Sequence, residues 1–429
     1  MAFYRKLLPY LRDFLNWLAR HQWLLWILAA LLLMLSAEGP PPGRFETRAR
    51  YMLAGEGFDF VGWEIRAVLG KLTYSLIAPQ RYMTGQARHD FFLDYLGLVS
   101  EIQRTDSEIR RAYTDPAVTD PEAATAGLRA RLVDLRAEQA ARQPVAEAIL
   151  EEQTAATLVR NGFGILGQEF PPVGVHFTPL PMMLIVSPRD HIEAIFQLAL
   201  RHGLDTAQQE AIERQVDSTF DVSSLVTGIG GLGAYPAMLL ESDSPTWVAE
   251  VSPHEWTHHY LLFRPLGWNY DASPEARTIN ETVASIVGKE IGRQVVARYY
   301  PELLPPESPP VTSSPEPQPA QPPAFDFRAE MRATRVRVDE LLAQGKVREA
   351  EIYMEWRRRV FVEHGYEIRK LNQAYFAFYG AYADEPGAAG EDPIGPAVRR
   401  LREQSADLRA FVERVSRVTT LAELQALLK

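Results

Sequence analysis

The sequence predicts a predominantly helical α+β protein, and three observations carry that expectation. Apolar residues recur at helical spacing across residues 44–162 and again from 325 onward. Between these stretches, residues 173–240 break into short β-like runs punctuated by Gly and Pro. Ahead of both lie residues 23–35, WLLWILAALLLML, more apolar than anything later in the chain.

Composition bounds what such a chain can be. Its 429 residues, 46% hydrophobic and 23% charged, suffice for a core without covalent staples. The 45 Lys and Arg against 55 Asp and Glu leave a net charge of -10, so no nucleic-acid partner is expected. The chain has no cysteine, which excludes disulfides, thiolate metal sites and Cys nucleophiles. Any transition metal must then be held by His and carboxylate.

The first expected element, residues 1–43, is a membrane anchor and spacer. Residues 21–37 carry no charge if His21 is neutral, which meets the short limit for a spanning helix. Residues 3–18 mix aromatics with Arg5, Lys6 and Arg12, a pattern that suits a helix lying in the interface. A cleaved signal peptide ending near Ala37 and a buried soluble helix are the alternatives. The long segment before the apolar run and the bulky Leu35 near a would-be cleavage site favour a retained single-pass anchor. The later domain is expected on the extracytoplasmic side, although basic residues flank both ends of the run. Residues 38–43, EGPPPG, end the helix and form a short stiff spacer.

Residues 44–165 read as a helical region. Phe91, Phe92, Tyr95, Leu96, Val99 and Ile102 share helical spacing, and after the turn TDPAVTDPEA so do Leu128, Leu132, Leu135 and Ile149. A helical hairpin with charged wet faces follows. Its plainest role is packing, since charged helical faces are usually just solvated.

Residues 166–300 form the expected core domain. Strands are predicted over 173–178, 182–187, 222–227 and 234–240, the last two as a hairpin around the glycine turn GIGGLG. No GK[ST] follows those glycines, so a phosphate loop is disfavoured. Ten of the 24 residues from 301 to 324 are proline, the composition of an extended linker. Helices resume over 325–382 and 397–428 as a C-terminal subdomain.

Chemistry concentrates in His254-Glu255-Trp256-Thr257-His258, an H-E-x-x-H motif. On a helix, positions i and i+4 stack on one face, so both imidazoles can address one metal ion with Glu255 alongside. A chain of this composition gives about 0.02 such matches by chance. Two helix starts are open: at Pro253, with Ser252 as N-cap and Glu255 in a capping box, or at Pro245, capped by Ser244 and carrying Pro253 inside. The second leaves Glu255 free to act as a base.

The third ligand must come from elsewhere. Leu261 and Arg264 stand where the metzincin pattern needs Gly and His. Downstream, Ser273-Pro274 opens a predicted helix carrying Asn280-Glu281-Thr282-Val283-Ala284, with 22 residues between His258 and Glu281. Glu275 and Glu290 are rivals on the same helix.

Residues 230–290, through HEWTH and NETVA, resemble the gluzincins, the thermolysin and alanyl-aminopeptidase superfamily. The resemblance implies Glu281 as third zinc ligand, with the longer loop RPLGWNYDAS absorbing the extra spacing. Ser285 stands where the thermolysin branch has an acidic residue. It also implies a substrate-binding edge strand before the H-E-x-x-H helix, where residues 234–240 lie. The Gly-x-Met-Glu-Asn motif of the aminopeptidases is absent, so endo- and exopeptidase action both stay open. A Tyr or His donor to the oxyanion is implied as well, for which Tyr375 and Tyr379, on one face of a helical stretch, are the candidates.

The expected function is thus that of a membrane-anchored zinc peptidase acting on peptide or protein substrates. His254, His258 and Glu281 would hold Zn²⁺, and Glu255 would serve as general base toward a zinc-bound water. The competing reading is a non-catalytic membrane-tethered scaffold with a structural zinc site, against which the intact Glu255 argues. An intramembrane peptidase is disfavoured by Arg264, Asn269, Asp271 and Glu275 around the motif. His259 reads as packing or surface, and His176, His191, His202 and His364 lack partners at metal spacing. The sequence does not specify oligomeric state.

Overall fold

The computed structural model describes residues 44–75, 77–304, 325–384 and 387–429. The anchor expected within residues 1–43 and nearly all of the proline-rich segment lie outside the described residues. Among the described residues no helix is long and apolar enough to cross a membrane. The chain divides into two compact units, Met1–Gly55 and Glu56–Lys429. In the first, helix α1 spans Phe45–Met52.

The second unit is mostly helical with small sheets, as expected. Helix α2 (Phe60–Ser75) leads into α3 (Gly85–Thr114) and α4 (Ala126–Arg160), the anticipated hairpin. Thr84 caps α3 by accepting from the Ala87 amide. Phe92, Tyr95, Leu96 and Val99 of α3 meet Val145, Ala146, Ile149 and Leu150 of α4 in the main core. The periodicity therefore marks the face that is buried.

After a two-stranded hairpin of β1 (Gly164–Ile165) and β2 (Gln168–Glu169) come two three-stranded sheets. One has the order β5-β4-β6, from Phe196–Leu200, Met182–Ser187 and Ser223–Thr227, all antiparallel. The other has the order β3-β8-β7, from Val175–Phe177, Ala237–Leu239 and Gly231–Leu232, with β3 parallel and β7 antiparallel to β8. The expected hairpin of 222–227 with 234–240 does not form, because those runs pair in different sheets. Nor is 237–239 an edge. Ala237, Met238 and Leu239 are all buried, and β8 is the middle strand, leaving the outer position to β7. Helix α5 (Thr206–Phe220), opened by an Asp205–Gln208 capping box, lies between β5 and β6 in sequence.

The outer edge of β3 is closed by side chains. Glu147 of α4 accepts from the Phe177 amide and Glu151 from the Val175 amide, both at 2.8 Å. Lys71 bridges the two carboxylates at 2.6 and 2.7 Å, and His176 Nδ1 lies 2.9 Å from Glu147. Burial alone would raise Glu147, but Lys71 and His176 hold it down at about 2.

One long helix packs on this sheet and a second packs on the first. Helix α6 (Pro245–Leu261) starts at Pro245, with Ser244 accepting from the Trp247 amide, and runs through Pro253. Helix α7 (Pro274–Tyr299) starts at Pro274 after the Ser273 cap. They approach closely because glycines sit at the crossing. A Cβ on Gly292 would lie 2.7 Å from Glu250 Cα, and one on Gly288 would lie 3.0 Å from His254 Cβ.

C-terminal helices complete the unit. Helices α8 (Phe327–Ala343) and α9 (Val347–Glu363) share a core with Leu371 and Phe376. Helix α10 (Gln373–Tyr379) packs Ala374 on Ile185 and Leu225 of the β5-β4-β6 sheet. Helices α11 (Ile394–Glu403), α12 (Leu408–Val415) and α13 (Leu421–Ala426) add Val398, Phe411 and Leu424 to the main core.

Candidate metal centre

Helix α6 presents His254 and His258 one turn apart, and α7 presents Glu281 across from them. His254 Nε2 and His258 Nε2 are 3.3 Å apart, and Glu281 Oε2 lies 3.6 and 3.8 Å from them. Ligands 2.0–2.1 Å from a tetrahedral zinc are separated by about 3.3–3.4 Å. The three atoms therefore stand near the spacing that a zinc ion imposes. Glu281 Oε2 is buried and has no hydrogen-bond partner in the protein, which fits an acceptor aimed at a cation.

Neighbouring groups orient two of the three candidate ligands, His258 and Glu281. The Asn280 amide donates to the Leu266 carbonyl at 3.4 Å, which turns its Oδ1 toward His258. His258 Nδ1 then donates to Oδ1 at 2.8 Å and leaves the Nε2 lone pair facing the site. Burial also lowers His258 to about 4, favouring the neutral ring. Glu281 Oε1 accepts from the Tyr270 hydroxyl at 2.5 Å, so Oε2 is the free oxygen. Burial works against the Glu281 carboxylate, but His258, His254 and Tyr270 outweigh it and hold the group at about 2.

Glu255, 5% exposed, extends beside the imidazoles, and burial pushes its carboxyl up to about 7. Because the helix starts at Pro245, Glu255 is not tied into a capping box. Its carboxylate lies directly against β7: a Cβ on Gly231 would be 2.1 Å from Glu255 Oε1. Only a glycine leaves room there, which gives the GIGGLG segment a steric role. His259, on the next position of α6, donates from Nε2 to the Ala234 carbonyl at 2.7 Å and ties the β7–β8 turn to the helix. It is a packing residue.

A cleft of about 530 Å³ opens over the site, lined by Phe60, Ile229, Leu232, Leu262, Phe378 and Tyr382 in addition to the ligands and Glu255. The structure brings together His254, Glu255, His258 and Glu281. It does not bring Tyr375 or Tyr379 to the cleft. The Tyr379 hydroxyl lies 3.1 Å from Thr227 Oγ1, and the Tyr375 ring packs at a tilt against that of Tyr379 with centroids 4.4 Å apart. That face of α10 is turned to the β5-β4-β6 sheet. The rival carboxylates are also engaged: Glu275 accepts from the Leu421 amide at 2.9 Å, and Glu290 pairs with Arg402 at 2.7 Å.

Sequence reasoning missed two tyrosines. Tyr270 comes from the loop between α6 and α7, where Arg277 lies 5.4 Å over its ring. Tyr382 follows α10, its ring 6.3 Å from that of His254, and enclosure with the Glu281 and Glu255 carboxylates raises its hydroxyl. Lys289 pairs with Asp384 at 2.6 Å, and Arg399 donates to the Ala383 and Asp384 carbonyls at 2.9 and 2.7 Å. These contacts fix the Tyr382 loop on α7 and α11.

No protein-family model, curated protein or solved structure matches the chain.

Proposed function

We propose that the protein is a membrane-attached zinc-dependent peptidase, with the N-terminal apolar run as its attachment. The observation that carries this reading is the convergence of His254 Nε2, His258 Nε2 and the unpartnered Glu281 Oε2 beside a buried glutamate. His254, His258 and Glu281 would hold the zinc ion, which when bound would supply Lewis acidity toward a scissile carbonyl and acidify an attacking water.

The chain's own residues account for the rest. Strand β7, the outer strand of its sheet, offers backbone groups to an extended peptide laid along the cleft. Glu255 takes a proton from the attacking water and passes it to the leaving amine. Tyr382, at the cleft wall, supplies the hydroxyl that meets negative charge developing on the carbonyl oxygen. Apolar lining from Phe60, Leu232, Leu262 and Phe378 favours substrates with an apolar side chain next to the cleaved bond.

The test is zinc content and hydrolysis of a peptide library, measured together on the purified full chain. Wild type should hold one zinc ion per chain and cleave. Glu255→Gln should keep the zinc and lose at least about 10²-fold in kcat, and Glu281→Ala should lose the zinc. A zinc-loaded wild type that cleaves no member of the library would leave a metal-stabilised binding protein instead.

A further inference from the structure

Helix α2 has one occupied side, an arc of about 100°, and an open one. Trp63 and Ala67 pack inward with Leu180 and Met238, Phe60 and Glu64 line the cleft, and Lys71 enters the ion cluster with Glu147 and Glu151. On the remaining side, at 100° per residue, Val61, Ile65, Leu69 and Leu72 fall within an arc of about 80°. Their exposures are 72, 56, 58 and 58%. Ile77 and Tyr82, also exposed, continue the apolar character past the helix end. Single exposed apolar residues are ordinary, but an aligned stripe on a helix is not.

We infer that this stripe rests in the surface of a lipid bilayer. The inference builds on reading residues 23–35 as the membrane attachment. That run is apolar at every position and needs apolar cover all round. One narrow stripe on a neighbouring helix cannot supply it, whereas a bilayer covers both the run and the stripe. Residues 36–59 join the run to α2, so the helix is tethered within reach of whatever surface holds the run. The flanks have interfacial chemistry: Arg66 and Arg81 can meet phosphate headgroups, and the Tyr82 ring suits headgroup depth. The same helix walls the cleft through Phe60 and Glu64. Docking therefore opens the cleft beside the bilayer, and on the peptidase reading it selects polypeptides held at a membrane surface.

The absence of cysteine makes a direct test available. Ile65→Cys, Leu69→Cys and Leu72→Cys are made singly in the full chain, with Ile352→Cys on the exposed side of α9 as control. Each is labelled with a fluorophore and reconstituted in vesicles of three parts phosphatidylcholine to one part phosphatidylglycerol. Labels on the stripe should be several-fold less quenched by iodide than the label at 352, and quenched several-fold more by nitroxide lipids. Equal iodide access at all positions overturns the proposal. Shielding from iodide without quenching by nitroxide lipid means cover by protein, from residues 23–35 or a second copy, and overturns it too. A chain that fails to float with vesicles overturns both the attachment and the stripe; a floating chain with open stripe labels overturns the stripe alone. The readout does not involve hydrolysis, so an inactive protein leaves the inference standing.

Discussion

Gly231→Ala tests the proposed role of Glu255 as general base separately from the proposed metal ligands. The backbone of Gly231 has no positive φ, so alanine can adopt it and the effect is purely steric. The new Cβ would sit 2.1 Å from Glu255 Oε1 and 2.8 Å from its Cδ. Relieving that overlap requires a displacement of about 1 Å or more. Glu255 is enclosed, with its Oε2 near Gly233 on the same segment, so the carboxylate must either swing away from the site or lift β7. Either motion moves the base relative to the substrate strand. A misplacement of about 1 Å can cost about 10²-fold in rate, near 3 kcal/mol of barrier. The three atoms nearest the added methyl all belong to Glu255, so zinc content and melting temperature should stay near wild type. Gly233→Ala is the internal control: its Cβ would stand 3.3 Å from His258 Cβ and 3.7 Å from Glu255 Oε2, a milder intrusion. Steady-state kinetics on a cleaved peptide, paired with metal analysis, is the assay. If Gly231→Ala keeps its zinc and also keeps kcat within about twofold, then Glu255 is not poised as described. Loss of zinc in this variant would instead assign the glycine to building the ligand site.

Three further outcomes follow from the same geometry. Gly292→Ala puts a methyl group 2.7 Å from backbone that cannot swing aside, and should cost about 1–3 kcal/mol in denaturant unfolding along with weaker zinc binding; an unchanged midpoint would refute close packing of α6 on α7. Tyr382→Phe should lower kcat by about 10²- to 10³-fold while Tyr375→Phe, removing a hydroxyl from outside the cleft, should leave it unchanged; the reverse order would return the oxyanion role to α10. Glu147 sits at about 2 against an ordinary 4.5, so its contribution, at most about 3 kcal/mol, is present above pH 4.5 and is lost as pH falls toward about 2; Glu151, raised by burial, acts in the opposite sense. The stability gap between wild type and Glu147→Gln, measured by denaturant titration, should therefore narrow over that window, and a constant gap would show that the ion cluster does not couple to folding.

What could be read from the sequence is what local spacing encodes. His254 and His258 are legible because i and i+4 on a helix fix a distance before any tertiary contact forms. Glu281 is legible through its neighbour Asn280, whose side chain turns out to orient His258. Ser244-Pro245 and Ser273-Pro274 announce both helix starts, because capping is also local. Strand partnership is not local. Residues 223–227 and 237–239 look alike as short apolar runs, and nothing in either says that one joins β4 and the other β3. Tyr375 and Tyr379 share a helical face as expected, but periodicity says only that a face is buried, and here it is buried against the other sheet. Tyr270 and Tyr382 lie in loops, where no period exists to mark them. One overlooked signal was present: Gly288 and Gly292, four apart on α7, mark a helix face that permits close approach.

The two edges of the β3-β8-β7 sheet show how the fold sets where an added strand could pair. An open sheet has unpaired backbone groups at both sides, and each can capture an extended chain. On β3 the amides of Val175 and Phe177 are occupied by Glu151 and Glu147, and Lys71 with His176 compensates the buried charge. An incoming peptide there would have to displace two buried carboxylates, leaving a lysine and a histidine unpaired, at a cost of several kcal/mol. On β7 the corresponding side pairs with no further strand among the described residues, and the glycine that forms it lets the backbone approach Glu255. The ion cluster is thus more than a stabilising contact on α4. By closing the β3 edge it leaves β7 as the open edge, so that on the proposed reading an extended chain pairing with this sheet would lie beside Glu255 and the three candidate ligands.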